Sequence, residues 1–525
     1  MKKFVFLSLA GLLIMAVSGM VYAQQLEFKA SGYIDVEGWL QRNAPEGPYE
    51  STANVYATQA NPAFAGRLYP QAPGTVTTDA AGGAFDRPRA YSSMRGRLRF
   101  DAIMGPNLRG LIFLEVDSTR WGEVTSGYGG SANGQRQNAG QWGADRGAVE
   151  VKNVNITFGV PFTPVPTEIQ VGIMPLFYRP WIFTYTDGPG IEAKINLNPV
   201  NIKLSYFKML ENQDYSSDDN DIYGGDVGVK VGPMTIGGFG LHYNMNTYPQ
   251  VVAAAGIGPA VNYQAKMTWL GLYADGKLGP VNVNFDLVYN TGTVEDRRDL
   301  AARTRDVDYR GWATMLRVDY PWEKFNFGLI GVYASGADAR KTDPTGIPGA
   351  VPPGAAAGVT STKVGAYVVP PQAEVGLGDL SEVFYGVSSI PLAPSPNYGG
   401  SSPTNLSRGQ IGGTWAVKLS GSYKATPWYK VTLQGLYIGD TTSNGNTIGT
   451  ARVAPYGAGD LRDDKTIGWE LDLLNEFQIY KNLTLKVAGG VLFPGDAMEY
   501  FVNAANPAVS PKNPYVILTK LVYTF

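Results

Sequence analysis

The sequence predicts an all-β chain: a transmembrane antiparallel up-and-down β-barrel of about 18 strands, with short periplasmic turns and long extracellular loops. Three observations predict it. Apolar and polar residues alternate with period two in segments of about 10 to 15 residues, which fits strands with two unlike faces. Those segments are joined by brief turns and long stretches rich in Gly, Asn, Asp and Pro, in alternation. Beyond the N-terminus, no run of 18 apolar residues offers a membrane-crossing helix. A bilayer core requires every backbone N–H and C=O to be paired internally, and strands achieve that only by closing into a barrel.

The elements follow in order. Lys2 and Lys3 precede an apolar run from Phe4 to Val17, and Val21-Tyr22-Ala23 precedes Gln24. This is the three-part pattern of a secretory signal peptide, so residues 1–23 are expected to be removed and 24–525 to form a single outer-membrane barrel domain. Strands are predicted at 26–41, 89–103, 108–121, 148–160, 167–178, 190–197, 200–209, 222–231 and 234–245. The second half continues at 262–278, 281–294, 308–320, 325–337, 411–425, 429–440, 466–479, 483–494 and 514–525. After each even-numbered strand the link is brief, as in Gly105-Pro106-Asn107, Asn198-Pro199, Gly232-Pro233, Gly279-Pro280, Thr426-Pro427-Trp428 and Tyr480-Lys481-Asn482. After odd-numbered strands it is usually long, as at 43–88, 122–146, 210–221, 246–261, 441–464 and 495–512. The longest, 338–410, exceeds a simple hairpin connection, and is expected either to lid the outer mouth or to fold back and constrict the pore, with constriction favoured.

An even strand count places both termini on the periplasmic side and lets the last strand close antiparallel on the first. One hairpin repeats: Lys230-Val-Gly-Pro-Met-Thr-Ile resembles Lys277-Leu-Gly-Pro-Val-Asn-Val. The final strand ends in Phe525 with Tyr515, Ile517, Leu521 and Tyr523 on the same face, which resembles the signal read by the barrel-assembly machinery. Phe162, Trp322, Trp428, Tyr429 and Tyr480 lie beside short turns, where an aromatic girdle meets the headgroups.

Alternation assigns the faces. In the first strand Phe28, Ile34, Val36 and Leu40 point to lipid, and Lys29, Tyr33, Asp35, Glu37 and Gln41 point inward. In the second, Met94, Gly96, Leu98 and Phe100 face out, leaving Arg95, Arg97 and Arg99 in the lumen. If Gly105-Pro106-Asn107 is a three-residue turn, Arg97 faces Glu115, Arg95 faces Asp117, and Arg99 faces Phe113 with no partner. Two readings of the arginines stand: cross-strand charge pairing, or a ladder that concentrates anions. The same construction at Tyr480-Lys481-Asn482 sets Glu476 opposite Lys486, Phe477 opposite Leu485 and Ile479 opposite Leu483.

Several functions are excluded or unsupported. With no cysteine, the chain has no disulfide, thiolate metal site or covalently attached c-type haem. Removing Lys2 and Lys3 from 43 basic residues leaves 41 against 45 acidic ones, so no basic field invites nucleic acid. The single histidine, His242, alternates with Leu241 and Tyr243 and is placed toward the lumen, without the cluster a metal site needs. Asp214, Asp218, Asp219 and Asp221 crowd one loop but do not match a calcium-loop spacing. No nucleophile motif is present, so no catalysis and no cofactor are expected.

Ile467-Gly468-Trp469-Glu470-Leu471-Asp472-Leu473, then Asn482-Leu483-Thr484-Leu485, then Gly489-Gly490-Val491-Leu492-Phe493-Pro494-Gly495-Asp496 resemble a succession found in alginate-export-type outer-membrane porins. The resemblance implies an 18-stranded outer-membrane channel in which Glu470 and Asp472 face the lumen. The lumen charges are mixed, with Asp35, Glu37, Glu115, Asp117 and Glu476 against Arg95, Arg97, Arg99, Lys418, Lys424 and Lys486. The expected function is therefore a porin for passive diffusion of small hydrophilic solutes or ions, embedded in outer-membrane lipid. The alternatives are an exporter of an anionic polysaccharide and the barrel scaffold of a porin–cytochrome conduit, with a cytochrome as its partner.

Overall fold

The structure is a computed structural model. It describes residues 26–43, 89–121, 149–211, 217–248, 263–296, 306–338, 363–373, 380–386, 406–448, 451, 462–499 and 508–525. The strands are β1 (Leu26–Arg42), β2 (Arg89–Met104), β3 (Leu108–Arg120), β4 (Glu150–Gly159), β5 (Thr167–Tyr178), β6 (Thr184–Asn196), β7 (Val200–Leu210), β8 (Asn220–Val231) and β9 (Met234–Tyr248). They continue with β10 (Tyr263–Leu278), β11 (Val281–Asp296), β12 (Val307–Trp322), β13 (Phe325–Ala334), β14 (Lys363–Val364), β15 (Thr414–Thr426), β16 (Tyr429–Asp440), β17 (Thr466–Tyr480), β18 (Leu483–Pro494) and β19 (Tyr515–Thr524).

Eighteen of these make one closed wall. Each pairs antiparallel with its neighbours in sequence, β13 pairs with β15, and β1 pairs with both β2 and β19. The two-residue β14 stands apart, making a parallel contact with β12. Closure runs from Tyr33 opposite Thr524 to Arg42 opposite Tyr515, so the last strand meets the first as expected. Over Gly32–Arg42 the seam is paired on both sides, which removes the free sheet edge that hydrocarbon would not tolerate.

The alternation expected from sequence sorts the side chains. Ile34 and Leu40 on β1 are exposed to the outside, whereas Asp35 and Glu37 between them are buried inside. Leu270 and Leu272 on β10, Leu419 on β15, Leu433 on β16 and Leu471 and Leu473 on β17 extend the apolar outer band. Each such leucine in hydrocarbon rather than water is worth about 1.5–3 kcal/mol, so the outer face favours lipid strongly. This is a membrane-spanning barrel.

The short turns lie at one rim. Gly105, Gly232 and Gly279 adopt φ of +62°, +57° and +61°, each just before a proline, and a Cβ at Gly232 or Gly279 would meet nothing within 4 Å. Glycine is needed there for its left-handed backbone, not for space. At the same rim Trp322, Phe325 and Tyr423 form an outward stack with ring centroids 6.0 and 4.8 Å apart, and Tyr429 stacks on Phe477 at 4.9 Å. Phe162, Trp428 and Tyr480 are exposed beside them, as a girdle requires.

One boundary and one turn register differ from expectation on these strands. β6 begins at Thr184, six residues before its predicted start at 190, so the link from β5 is only residues 179–183. At the β17–β18 turn a bulge sets Tyr480, not Ile479, opposite Leu483, while Phe477 stays opposite Leu485.

Candidate functional site

The site is the lumen, and its charged part lies on β1 to β4. Arg97 stands opposite Glu115 and donates to its Oε1 at 3.0 Å. A bulge gives β3 one extra residue between Val116 and Thr119, opposite Arg95. Arg95 consequently leans back to Glu115, with Nε 3.2 Å from Oε1. Its expected partner, Asp117, has a side chain outside the described residues. Arg99 stands opposite Phe113 as expected but is not without a partner: it donates to both oxygens of Asp101, at 2.7 and 2.8 Å. The pairing runs along the strand to the next residue on the same face, which a cross-strand rule overlooks. Arg109 approaches the same carboxylate at 3.8 Å.

Lys152 on β4 completes the group. It reaches Glu115 at 3.5 Å and Asp187 at 2.7 Å. Among the described ion pairs here, five basic side chains meet three carboxylates, Glu115, Asp101 and Asp187, so most charge is matched. On the seam, Lys520 of β19 pairs with Asp35 at 3.2 Å and with Glu37. Glu476 stands opposite Lys486 as expected, but its short ion pair, 2.7 Å, is with Lys430 on the other neighbouring strand.

The opposite part of the lumen is apolar. Arg179, with φ of +44°, turns the chain inward directly after β5, and its carbonyl accepts from the N–H groups of Ile182 and Phe183. Its guanidinium donates to both oxygens of Asp275 on β10, at 2.6 and 2.7 Å, also reaches Asp286 on β11, and lies over the Tyr273 ring at 4.7 Å. β5 and β10 are not neighbours in the wall, so this turn bridges the lumen. Burial alone would lower the Arg179 pKa; the hydrogen bonds and charges of Asp275 and Asp286 outweigh it and keep the guanidinium cationic.

Behind the turn, Phe183 stacks on Phe239 at 5.5 Å and leans on Trp269 at 5.7 Å, and Tyr243 meets Trp269 edge-on at 5.0 Å. Leu241 and Tyr243 therefore face inward, and His242 is turned to the outer face, with Nδ1 3.0 Å from Thr268 Oγ1. The expected placement of His242 in the lumen is corrected for that reason: on this strand the inner face is the more apolar one.

Described parts of 338–410 fill this side. The Val368 carbonyl accepts from Trp269 Nε1 at 2.8 Å, and the Val368 N–H donates to Asn290 Oδ1 at 3.2 Å. Tyr367 donates through Oη to the Ile182 carbonyl at 2.7 Å, and Leu406 N–H donates to Tyr248 Oη at 2.8 Å. Val369 and Ser407 exchange both backbone hydrogen bonds. Burial pushes the Tyr367 and Tyr385 phenols up, so both remain protonated donors.

Glu470 and Asp472 face inward, with relative exposures of 0% and 1%. Glu470 accepts from Ser381 Oγ and the N–H groups of Glu382, Val383 and Phe384 at 2.8 to 3.0 Å. Asp472 accepts from Gln434 at 2.8 Å. Asp219 and Asp221, from the loop considered for calcium, are engaged by Lys208 and the Tyr206 hydroxyl, and Asp214 lies outside the described residues. Sequence reasoning missed Arg179, Asp275, Asp286 and the aromatic cluster. One signal was available: Phe239, Leu241, Tyr243 and Met245 share one face of β9, while the other carries Gly238, Gly240, His242 and Asn244.

A closed antiparallel membrane barrel with a polar-lined lumen is the class these features define. No family model matches the chain, and no curated protein matches it. Among solved structures it is similar to the outer membrane protein OpdK of Pseudomonas aeruginosa, at 11% identity over 95% of this chain and 98% of that one, with a TM-score of 0.43. OccK8 (OprE) of the same organism gives 11% identity, 95% and 98% coverage and a TM-score of 0.44. OmpT of Vibrio cholerae gives 8% identity, 96% and 100% coverage and a TM-score of 0.35. The fold class rests on the closed hydrogen-bonded wall itself.

Proposed function

We propose that the chain is an outer-membrane porin, a non-enzymatic channel for passive diffusion of small hydrophilic solutes or ions through a lumen narrowed by inward-folded segments. The observation that carries the reading is the wall's two faces: a largely apolar exterior and an interior lined on β1 to β4 and β19 by ion pairs. A wall of about 18 strands is too wide for its own side chains to fill, so that interior holds water wherever loops do not occupy it. Arg95, Arg97, Arg99, Asp35, Glu37, Glu115, Asp117, Glu470, Asp472, Glu476 and Lys486 are the residues proposed to line it. The gathering of Arg95, Arg97 and Lys152 on Glu115 favours weak preference for anions.

The test is conductance and reversal potential of the purified protein in planar bilayers under a salt gradient. Stable openings with a small anion-side reversal potential are expected; a protein that inserts but never conducts would overturn unassisted diffusion. The resemblance of 467–496 to alginate-export-type porins, together with those basic groups, supports a second reading, export of an anionic polysaccharide. A polyuronate that blocks the wild-type channel, and fails to block one with Arg97 and Arg99 replaced by glutamine, would favour it.

A further inference from the structure

One stretch of the lipid-facing wall lacks side chains. On β8 and β9, Gly225 stands opposite Gly240, and Val227 opposite Gly238. A Cβ at Gly240 would meet Leu270 Cδ2 at 3.4 Å, and one at Gly225 would meet Leu204 Cδ2 at 3.8 Å, both from leucines exposed on the outside. Neither glycine has a left-handed φ. The wall therefore needs glycine at these two positions neither for backbone conformation nor for room between strands, and the missing side chains leave space on the lipid side. That space is a groove of about 520 Å³, with Gly225, Gly238 and Gly240 as its floor and Leu270 and Leu272 of β10 as one wall.

The groove leads to a polar end. Along β10 the outward positions read Leu272, Leu270, Thr268 and Lys266, and beside them on β9 stand Gly238, Gly240, His242 and Asn244. His242 and Lys266 are exposed, and His242 Nδ1 lies 3.0 Å from Thr268 Oγ1. Among the described residues no carboxylate pairs with Lys266: Asp221 accepts from the Tyr206 hydroxyl at 2.8 Å, and Glu295 from Thr293 Oγ1 at 3.5 Å. Strands rise about 3.3 Å per residue and tilt by about 40°, so Gly238 and Gly240, four and six residues from the short-turn end of β9, stand roughly 10 and 15 Å above that rim. Lys266, twelve residues from the short-turn end of β10, stands roughly 30 Å above it, beyond an apolar band about 25 Å tall.

We propose that this groove seats one lipid of the outer leaflet, with an acyl chain on the glycine floor and an anionic phosphate headgroup on Lys266. Leucines, then a hydroxyl and an imidazole, then an ammonium follow one another along the wall in the order in which a lipid presents its chain, its ester and its phosphate. In hydrocarbon an acyl chain gains no hydrophobic energy by entering the groove, so dispersion contacts with the bare floor and the leucine wall hold it there. The ammonium, at headgroup height, adds the preference for negative charge. A second copy of the barrel matches the site less well, because its apolar band would leave Lys266 without a counter-charge. The seat requires the membrane-spanning wall and not an open lumen.

The test is native mass spectrometry of the delipidated barrel in detergent, titrated with phosphatidylglycerol or with phosphatidylcholine of the same chains. The wild type is expected to retain one copy of phosphatidylglycerol about fivefold more tightly than phosphatidylcholine, the factor that goes with one basic residue at a membrane surface. Lys266→Gln should abolish that preference and leave phosphatidylcholine retention as it was. Gly240→Leu fills the groove and should weaken retention of both lipids, and Gly225→Leu should repeat the result at a position with more room around its Cβ. Each variant is scored only if it keeps the heat-modifiable gel mobility of a folded barrel. Equal retention of the two lipids by the wild type, or folded groove-filling variants that retain lipid as the wild type does, would overturn the seat. Loss of a dimer or trimer on filling the groove, with lipid retention unchanged, would overturn it in favour of a second copy of the chain.

Discussion

The two sides of the lumen use one backbone pattern for opposite purposes. On β1 to β4 the inward positions carry Asp35, Glu37, Arg95, Arg97, Arg99 and Glu115, held in ion pairs with one another, with Asp101 and with Lys520 of β19. On β9 to β12 the same positions carry Phe239, Leu241, Tyr243, Trp269, Val288, Tyr309 and Met315, buried against chain that enters the lumen. Alternation says only that a strand has two faces. What the inner face carries depends on what lies against it, charged neighbours on adjoining strands in one case and the inner segments in the other.

The largest expected effect is on the apolar side. Trp269→Ala removes the ring under Phe183 and Tyr243 and the donor to Val368, and is expected to cost about 3–5 kcal/mol, measured as a shift in the urea midpoint of the folded barrel in detergent. An effect below about 1 kcal/mol would mean that this side is not packed as a core.

Next comes Arg179→Met. It leaves Asp275 and the fully buried Asp286 facing one another without a cation, and should cost about 3 kcal/mol by the same measurement. Adding Asp286→Asn is expected to restore part of the loss, because an uncompensated buried charge causes most of it.

On the charged side the expected change is functional. Glu115→Gln leaves Arg95, Arg97 and Lys152 around a neutral amide and should move the reversal potential further toward anions, with a stability change within about 1–2 kcal/mol. An unmoved reversal potential would mean that this wall does not face the conducting path. The smallest effect is at the rim shared by both sides: Gly279→Ala at φ +61° is expected to cost about 1 kcal/mol and to leave conductance unchanged.

The sequence made the wall and its charged side legible residue by residue. The Gly105-Pro106-Asn107 turn set the register that brings Arg97 to Glu115, and it holds in the structure. It could not announce the bulge that draws Arg95 to Glu115, because nothing in Ser118 or Thr119 marks an extra residue. Arg99 eluded it for a different reason: its partner, Asp101, is two residues along the same strand. Arg179 read as a loop residue, since its partners Asp275 and Asp286 are about a hundred positions away in sequence.

By itself, the sequence determined the strand count, the membrane-facing belt and the turns, because these depend on period-two patterning and on residues adjacent in the chain. Tertiary structure alone decided what fills the lumen: the β5–β6 turn lying across it, the aromatic cluster behind that turn, and the hydrogen bonds that Ser381–Phe384 give to Glu470. Those contacts join segments that meet only once the sheet has closed. Closure sets the distance across a barrel, and local patterning carries no information about it.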